Sequence, residues 1–188
     1  MHGIPVTNRA RTALDCGRLL PRLAAAAAVD AFLHAGLVTS EELDDQADRF
    51  VARRNVRQLR WVIDNAEPLA ESAMESWTRV RLIDGGLPRP QAQLPVARPG
   101  GATPYRLDMG YEEYHVGLEY DGAGHHSAND QIRHDRSRRK WLEDDRGWRI
   151  LVAREADVMR GWRLLVSSTA EALIARGWIP PRGGAFSA

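Results

Sequence analysis

Apolar residues recur at helical spacing through the first part of the chain and then switch to alternation. Thr7 or Asn8 can cap a short first helix that runs through Cys16. Pro21 suits the first turn of a second helix, which carries the apolar run Leu23 to Val29 and stops at Gly36. Thr39-Ser40-Glu41-Glu42 opens a third with capping residues and an acidic first turn. A fourth spans Val56 to Asn65 with Leu59, Val62 and Ile63 on one stripe. A fifth runs from Ser72 to about Gly85 around Met74, Trp77 and Val80, and Gly85-Gly86 ends it.

The period then becomes two. Gln93-Leu94-Pro95-Val96 reads as a strand, and Pro95 places it at a sheet edge. After the Pro99-Gly-Gly101 loop, Tyr105, Leu107 and Met109 alternate with Arg106 and Asp108. Val116, Leu118 and Tyr120 alternate with Gly117, Glu119 and Asp121. Successive strand side chains point to opposite faces, so this pattern predicts a hairpin with Asp108, Glu119 and Asp121 on one face. A charged helix follows from about Asn129 to Arg146, then a strand of undecided direction, Trp148 to Val152. A last helix runs from Leu164 to Arg176, and the tail beyond Pro180 looks loose. The expectation is an α/β domain over residues 70–180, with a mixed sheet of about four strands flanked by helices. It follows an N-terminal helical segment, residues 1–69, and precedes a tail, residues 181–188.

If the hairpin turns at Glu112-Glu113 or one residue later, Asp108 lies opposite or diagonal to Glu119, roughly 4.5–8 Å away. That is close enough for both to hold one hard cation, which would also offset the repulsion between them. Mg²⁺ or Mn²⁺ suits such carboxylates better than zinc. A cation there would polarise a phosphodiester and lower the pKa of a bound water. Asp121 either adds a ligand or, before Gly122, shapes the turn. Glu75 is either a further ligand or the reciprocal half of a capping box with Ser72. Arg79 pairs with Glu75 or meets a phosphate. Gln93 is either a substrate contact or simply an exposed strand residue. His125 and His126, at a Gly-rich corner, are suited to proton transfer near neutral pH or are exposed polar groups. On the charged helix, Arg133, Arg138, Arg139 and Lys140 either face phosphates or form a solvated surface.

Several of these pieces occur in a fixed order: Glu75-Ser-x-x-Arg79, Gly86-Leu-Pro-x-Pro90-x-x-Gln93, Arg106-Leu-Asp108, Glu119-Tyr-Asp-Gly122, His125-His126, Asp135-x-x-Arg138-x-x-x-Leu142 and Gly147-Trp148. Together, over about residues 70 to 160, they resemble the PD-(D/E)XK nuclease superfamily. Within it they look like the branch related to very-short-patch-repair endonucleases, domain of unknown function 559. The resemblance implies a restriction-endonuclease-like fold and a divalent-metal-dependent DNA endonuclease. Asp108, Glu119 and Glu75 would be at the metal, Asp121 nearby, and one of His125 and His126 would take the role of the usual lysine. The chain departs from the pattern where Asp121 stands at that lysine's position. The alternative is a non-catalytic DNA-binding or antitoxin-like regulator that keeps the fold. The segment from Arg9 through Leu43 is similar to the region preceding such domains in abortive-infection-type antitoxin proteins of actinobacteria. A winged helix usually lies further upstream there, so this chain is expected to be a shortened relative or to begin late.

Composition adds bounds. At 188 residues and a formal charge of +1, the chain gives no global reason to expect nucleic acid, so any basic surface is local. Lys140 is the only lysine, so a catalytic lysine could be no other residue. Arg53, Arg54, Arg57 and Arg60 cluster on the fourth helix, as phosphate contacts or as its solvated face. The single Cys16 excludes an internal disulfide and fits a reducing cytoplasm. No apolar run reaches the length of a membrane span, and the expected partner is DNA, with RNA as the other candidate.

Overall fold

The computed structural model describes residues 6–122, 129–183 and 186, and of residues 129–135 the backbone alone. It forms two compact units, Met1–Trp77 and Thr78–Ala188.

The first unit is helical: α1 (Arg9–Leu19), α2 (Arg22–His34), α3 (Ser40–Ala47) and α4 (Val56–Asp64). Asn8 is the cap of α1, its side chain accepting the Arg11 N–H at 2.8 Å. The helix runs past Cys16 because nothing breaks it before Pro21. Thr39 and Glu42 form a complete capping box at α3, with bonds of 2.9 and 3.1 Å. Leu14, Val29, Leu33, Leu43, Phe50, Leu59 and Val62 make the core of this unit. Gly17 lets α1 lie close to its neighbours: a Cβ there would stand 3.0 Å from Leu59 Cδ1.

The helix α5 (Ala73–Asp84) spans the division between the units. The second unit is built on β1 (Gln91–Val96), β2 (Tyr105–Tyr111), β3 (Val116–Tyr120) and β4 (Arg149–Ala153), with α6 (Asn129–Asp144), α7 (Glu155–Met159) and α8 (Trp162–Ile174). The sheet order is β1-β2-β3-β4. The first three strands run antiparallel and β4 runs parallel to β3, so the expected mixed four-stranded sheet flanked by helices is present. The strand bearing Pro95 lies at an edge, where a missing N–H costs no ladder bond. Parallel neighbours need a crossover, and α6 supplies it between β3 and β4. Leu94, Val96, Leu107, Leu142, Trp148 and Ile150 pack together under α6. Among the described residues no helix is long and apolar enough to cross a membrane.

Simple alternation fails at one place. The β1–β2 ladder skips Gln93 and Asp108, pairing Ala92 with Met109 and Leu94 with Leu107 on either side. Gln93 has φ 48°, in the left-handed region that costs a non-glycine residue energy. Met109 pairs with Leu118, yet Leu107 lies against the position a Gly117 side chain would fill, 2.6 Å from Leu107 Cδ1. Leu107 and Met109 therefore sit on opposite faces rather than on one. The phase of the pleat changes at Asp108.

Candidate functional site

Two glycines bring β2 and β3 together. Gly110 pairs with Gly117, and a Cβ on Gly110 would lie 2.8 Å from the Val116 carbonyl oxygen. The register, Met109 with Leu118 and Tyr111 with Val116, is the later of the two expected from the sequence. Extended by one residue, it sets Asp108 across from Glu119. The ladder nevertheless stops at Met109, because β2 there turns to follow β1. Asp108 fills the resulting gap: its Oδ2 accepts the Tyr120 N–H at 2.7 Å, where a β2 carbonyl would otherwise stand. The Asp108 carboxylate thus lies against the amide that immediately follows Glu119. Nearby, His115 turns the hairpin at φ 48° and its ring stacks on Trp148, centroids 5.2 Å apart.

Glu119 is 5% exposed, and both of its oxygens are engaged. Oε1 accepts from Arg138 Nη2 at 2.6 Å and Oε2 from Arg139 Nε at 2.8 Å. These are short charge-assisted bonds between partly sheltered groups, since the arginine side chains are 24% and 32% exposed. The repulsion expected between Asp108 and Glu119 is therefore relieved by two guanidiniums of α6. Arg138 and Arg139, expected either to face phosphates or to form a solvated surface, hold the carboxylate in this conformation. Arg138 Nη1 also reaches the Arg106 carbonyl at 3.4 Å, while its Nε is buried without an acceptor among the described residues.

Asp121 is half exposed and meets Arg154 Nε at 3.6 Å, a solvated pair of small energetic weight. Its amide donates to the Ala153 carbonyl and continues the β3–β4 pairing by one residue. Burial, and then the charges of Glu155 and Asp121, push the Tyr120 phenol above its ordinary range. Glu75 folds back onto the start of its own helix, α5. Ser72 Oγ donates to Glu75 Oε1 at 2.9 Å, accepts the Glu75 N–H at 3.2 Å, and the Glu71 N–H donates to Glu75 Oε2. Arg79 is 1% exposed, so in this conformation its side chain has no solvent face on which to meet a phosphate. Lys140 is exposed. His125 and His126 lie outside the described residues, as does the side chain of Arg133.

Asp108 and Glu119 offer hard oxygen donors on adjoining strands, which in kind fits Mg²⁺ or Mn²⁺. The fit requires Glu119 to exchange a guanidinium for the ion. Among the described residues no group of three or more His, Cys, Asp and Glu residues able to hold a metal gathers. Sequence reasoning missed the Arg138–Glu119–Arg139 clamp and the strained Gln93 facing Asp108. The first depends on how α6 lies over the sheet, and no local pattern encodes that. The second has a weak signal in Pro95, two residues on.

The chain is 32% identical over 154 residues to two proteins of Mycobacterium tuberculosis, the uncharacterized proteins MT2308 and Rv2248. The match takes in 82% of this chain and 56% of each relative, so the chain spans about half the length of the curated relatives it matches. No family model matches, and no solved structure does.

Proposed function

We propose that the chain is a divalent-metal-dependent phosphodiesterase, a DNA endonuclease, whose reacting centre is the split between β2 and β3. One observation carries the reading: the Asp108 carboxylate bonds to the backbone amide directly after Glu119, where the β2–β3 ladder stops. The motif order shared with very-short-patch-repair-like nucleases supports it. Asp108 and Glu119 would hold Mg²⁺ or Mn²⁺, which when bound supplies a polarised phosphate and an acidified water. Arg138 and Arg139 have a second natural partner in a phosphodiester, whose oxygens match the guanidinium fork. Substrate arriving at α6 would draw them from Glu119 and free that carboxylate. His125 or His126 would move the proton.

The test is cleavage of supercoiled plasmid, mismatched duplex, single-stranded DNA and RNA with Mg²⁺ or Mn²⁺. Asp108→Ala and Glu119→Ala should each abolish it, as should a chelator. Cleavage that survives both substitutions would belong to a contaminant and remove the assignment. A second reading is favoured by a specific observation: both Glu119 oxygens are already satisfied by arginine, and Asp121 stands where a lysine is usual. On that reading the chain is a non-catalytic DNA-binding or antitoxin-like regulator, and it binds DNA without cutting it under any metal.

A further inference from the structure

We infer that the helical unit carries its own anion site, and that it takes the backbone phosphates of a nucleic acid. A surface cavity of about 290 Å³ is lined by Asn8, Arg11, Gln46, Arg49, Phe50 and Arg53. Nothing acidic lines it. Arg11 lies 4.9 Å over the Phe50 ring and Arg18 5.5 Å over it, so the aromatic holds both guanidiniums in place. The two share a single carboxylate, Asp15, at 2.7 and 3.1 Å, which leaves their positive charge half compensated. The hydrogen bonds from Arg11 and Arg18 hold the Asp15 carboxyl below its ordinary value although burial pulls the other way.

Arg49 and Arg53 bring two further exposed guanidiniums to the same cavity, and among the described residues no carboxylate pairs with either. Gln46 and Asn8 add neutral polar groups to the lining. Several guanidiniums around a concave, acid-free floor form the donor set that a phosphate oxyanion accepts from several directions. The charge also continues past the cavity. Arg54 and Arg57 are exposed, again without an acidic partner among the described residues, so the surface offers positions for more than one phosphate. A polyanion uses all of them, whereas a lone phosphate uses only the cavity. The identity of that polyanion rests on the nucleic-acid reading above; the site itself does not.

The experiment uses the full chain with a chelator present, so that no cutting is possible. Binding of a fluorescein-labelled duplex is followed by anisotropy across a salt series, for wild type, Arg49→Gln/Arg53→Gln, and Arg182→Gln as an exposed arginine of the other unit. The double variant should lose about tenfold in affinity near physiological salt, and its slope of log K against log salt should shrink by about 2, one for each phosphate contact removed. Its far-UV circular dichroism and melting should stay as in wild type, since both side chains are exposed, and Arg182→Gln should bind as wild type does. An unchanged affinity and slope in the double variant overturns the inference. So does inorganic phosphate binding that is lost in the double variant while duplex binding is kept, which would assign the cavity to free phosphate. A chain that binds duplex through Arg49 and Arg53 but never cleaves it removes the nuclease reading and leaves this one standing.

Discussion

Replacing Glu119 by Gln removes a charge that two arginines share. The carboxylate is 5% exposed and receives bonds of 2.6 and 2.8 Å from Arg138 and Arg139. Gln keeps one acceptor, so one guanidinium loses its partner and the amide group of the new side chain faces a positive charge. A hydrogen bond to a charged group contributes about 1.5–3 kcal/mol, and breaking a buried pair costs about 3–5 kcal/mol. The arginines retain a quarter to a third of their exposure and can turn partly to water, so the expected cost falls to about 2–3 kcal/mol. For a chain of this size that lowers the melting temperature by about 5–10 °C. Arg138→Gln/Arg139→Gln should cost at least as much, because it leaves the carboxylate buried and alone. The triple variant should cost less than the sum of the two, since the neutral groups no longer strand a charge. Urea denaturation of the four proteins gives the coupling directly. A Glu119→Gln cost below about 0.5 kcal/mol, the level of an ordinary surface change, would refute the clamp.

Three further outcomes are expected. The Tyr111 hydroxyl donates to the Pro88 carbonyl at 3.0 Å, and burial pushes its pKa well above the ordinary 10.0. The raised folded-state value means its stabilising contribution is complete below pH 10 and is lost as pH rises beyond it. Denaturant titrations at alkaline pH should therefore show stability falling, with a shallower fall in Tyr111→Phe; equal slopes would count against the burial argument. Gly110→Ala forces a Cβ to within 2.8 Å of a backbone oxygen, which cannot swing away, and should cost about 1–3 kcal/mol in urea denaturation. Ser72→Ala removes the α5 cap and should cost about 1 kcal/mol without changing cation affinity, whereas a cation titration shifted by that change would make the cap part of the site.

Most of the scaffold was legible in the chain because its signals are local. Asn8, Thr39 and Pro21 mark helix starts through groups that act within a turn, and the hairpin register came down to two neighbouring choices. The pattern over Trp148 to Val152 does not fix the direction of β4, although a helix as long as α6 between two adjacent strands is the crossover that parallel pairing demands. The five-residue α7 is too short to show a period. The pleat change at Asp108 could not be read from alternation, since alternation is what it breaks. It coincides with the left-handed Gln93 at the skipped position of the facing strand. For the site, the sequence supplied Asp108 and Glu119 but not their company. Arginines 19 and 20 residues along the chain from Glu119 satisfy it, and that contact exists only once α6 has packed over the sheet.

The central claim is that Asp108 and Glu119 converge on one cation. Titration of Mn²⁺ followed by its electron paramagnetic resonance signal tests it without depending on any substrate. The account predicts one ion bound per wild-type chain, with affinity falling by tenfold or more, about 1.4 kcal/mol, in Asp108→Asn and again in Glu119→Gln. Binding equal in wild type and both variants, or no binding at millimolar Mn²⁺, would contradict it.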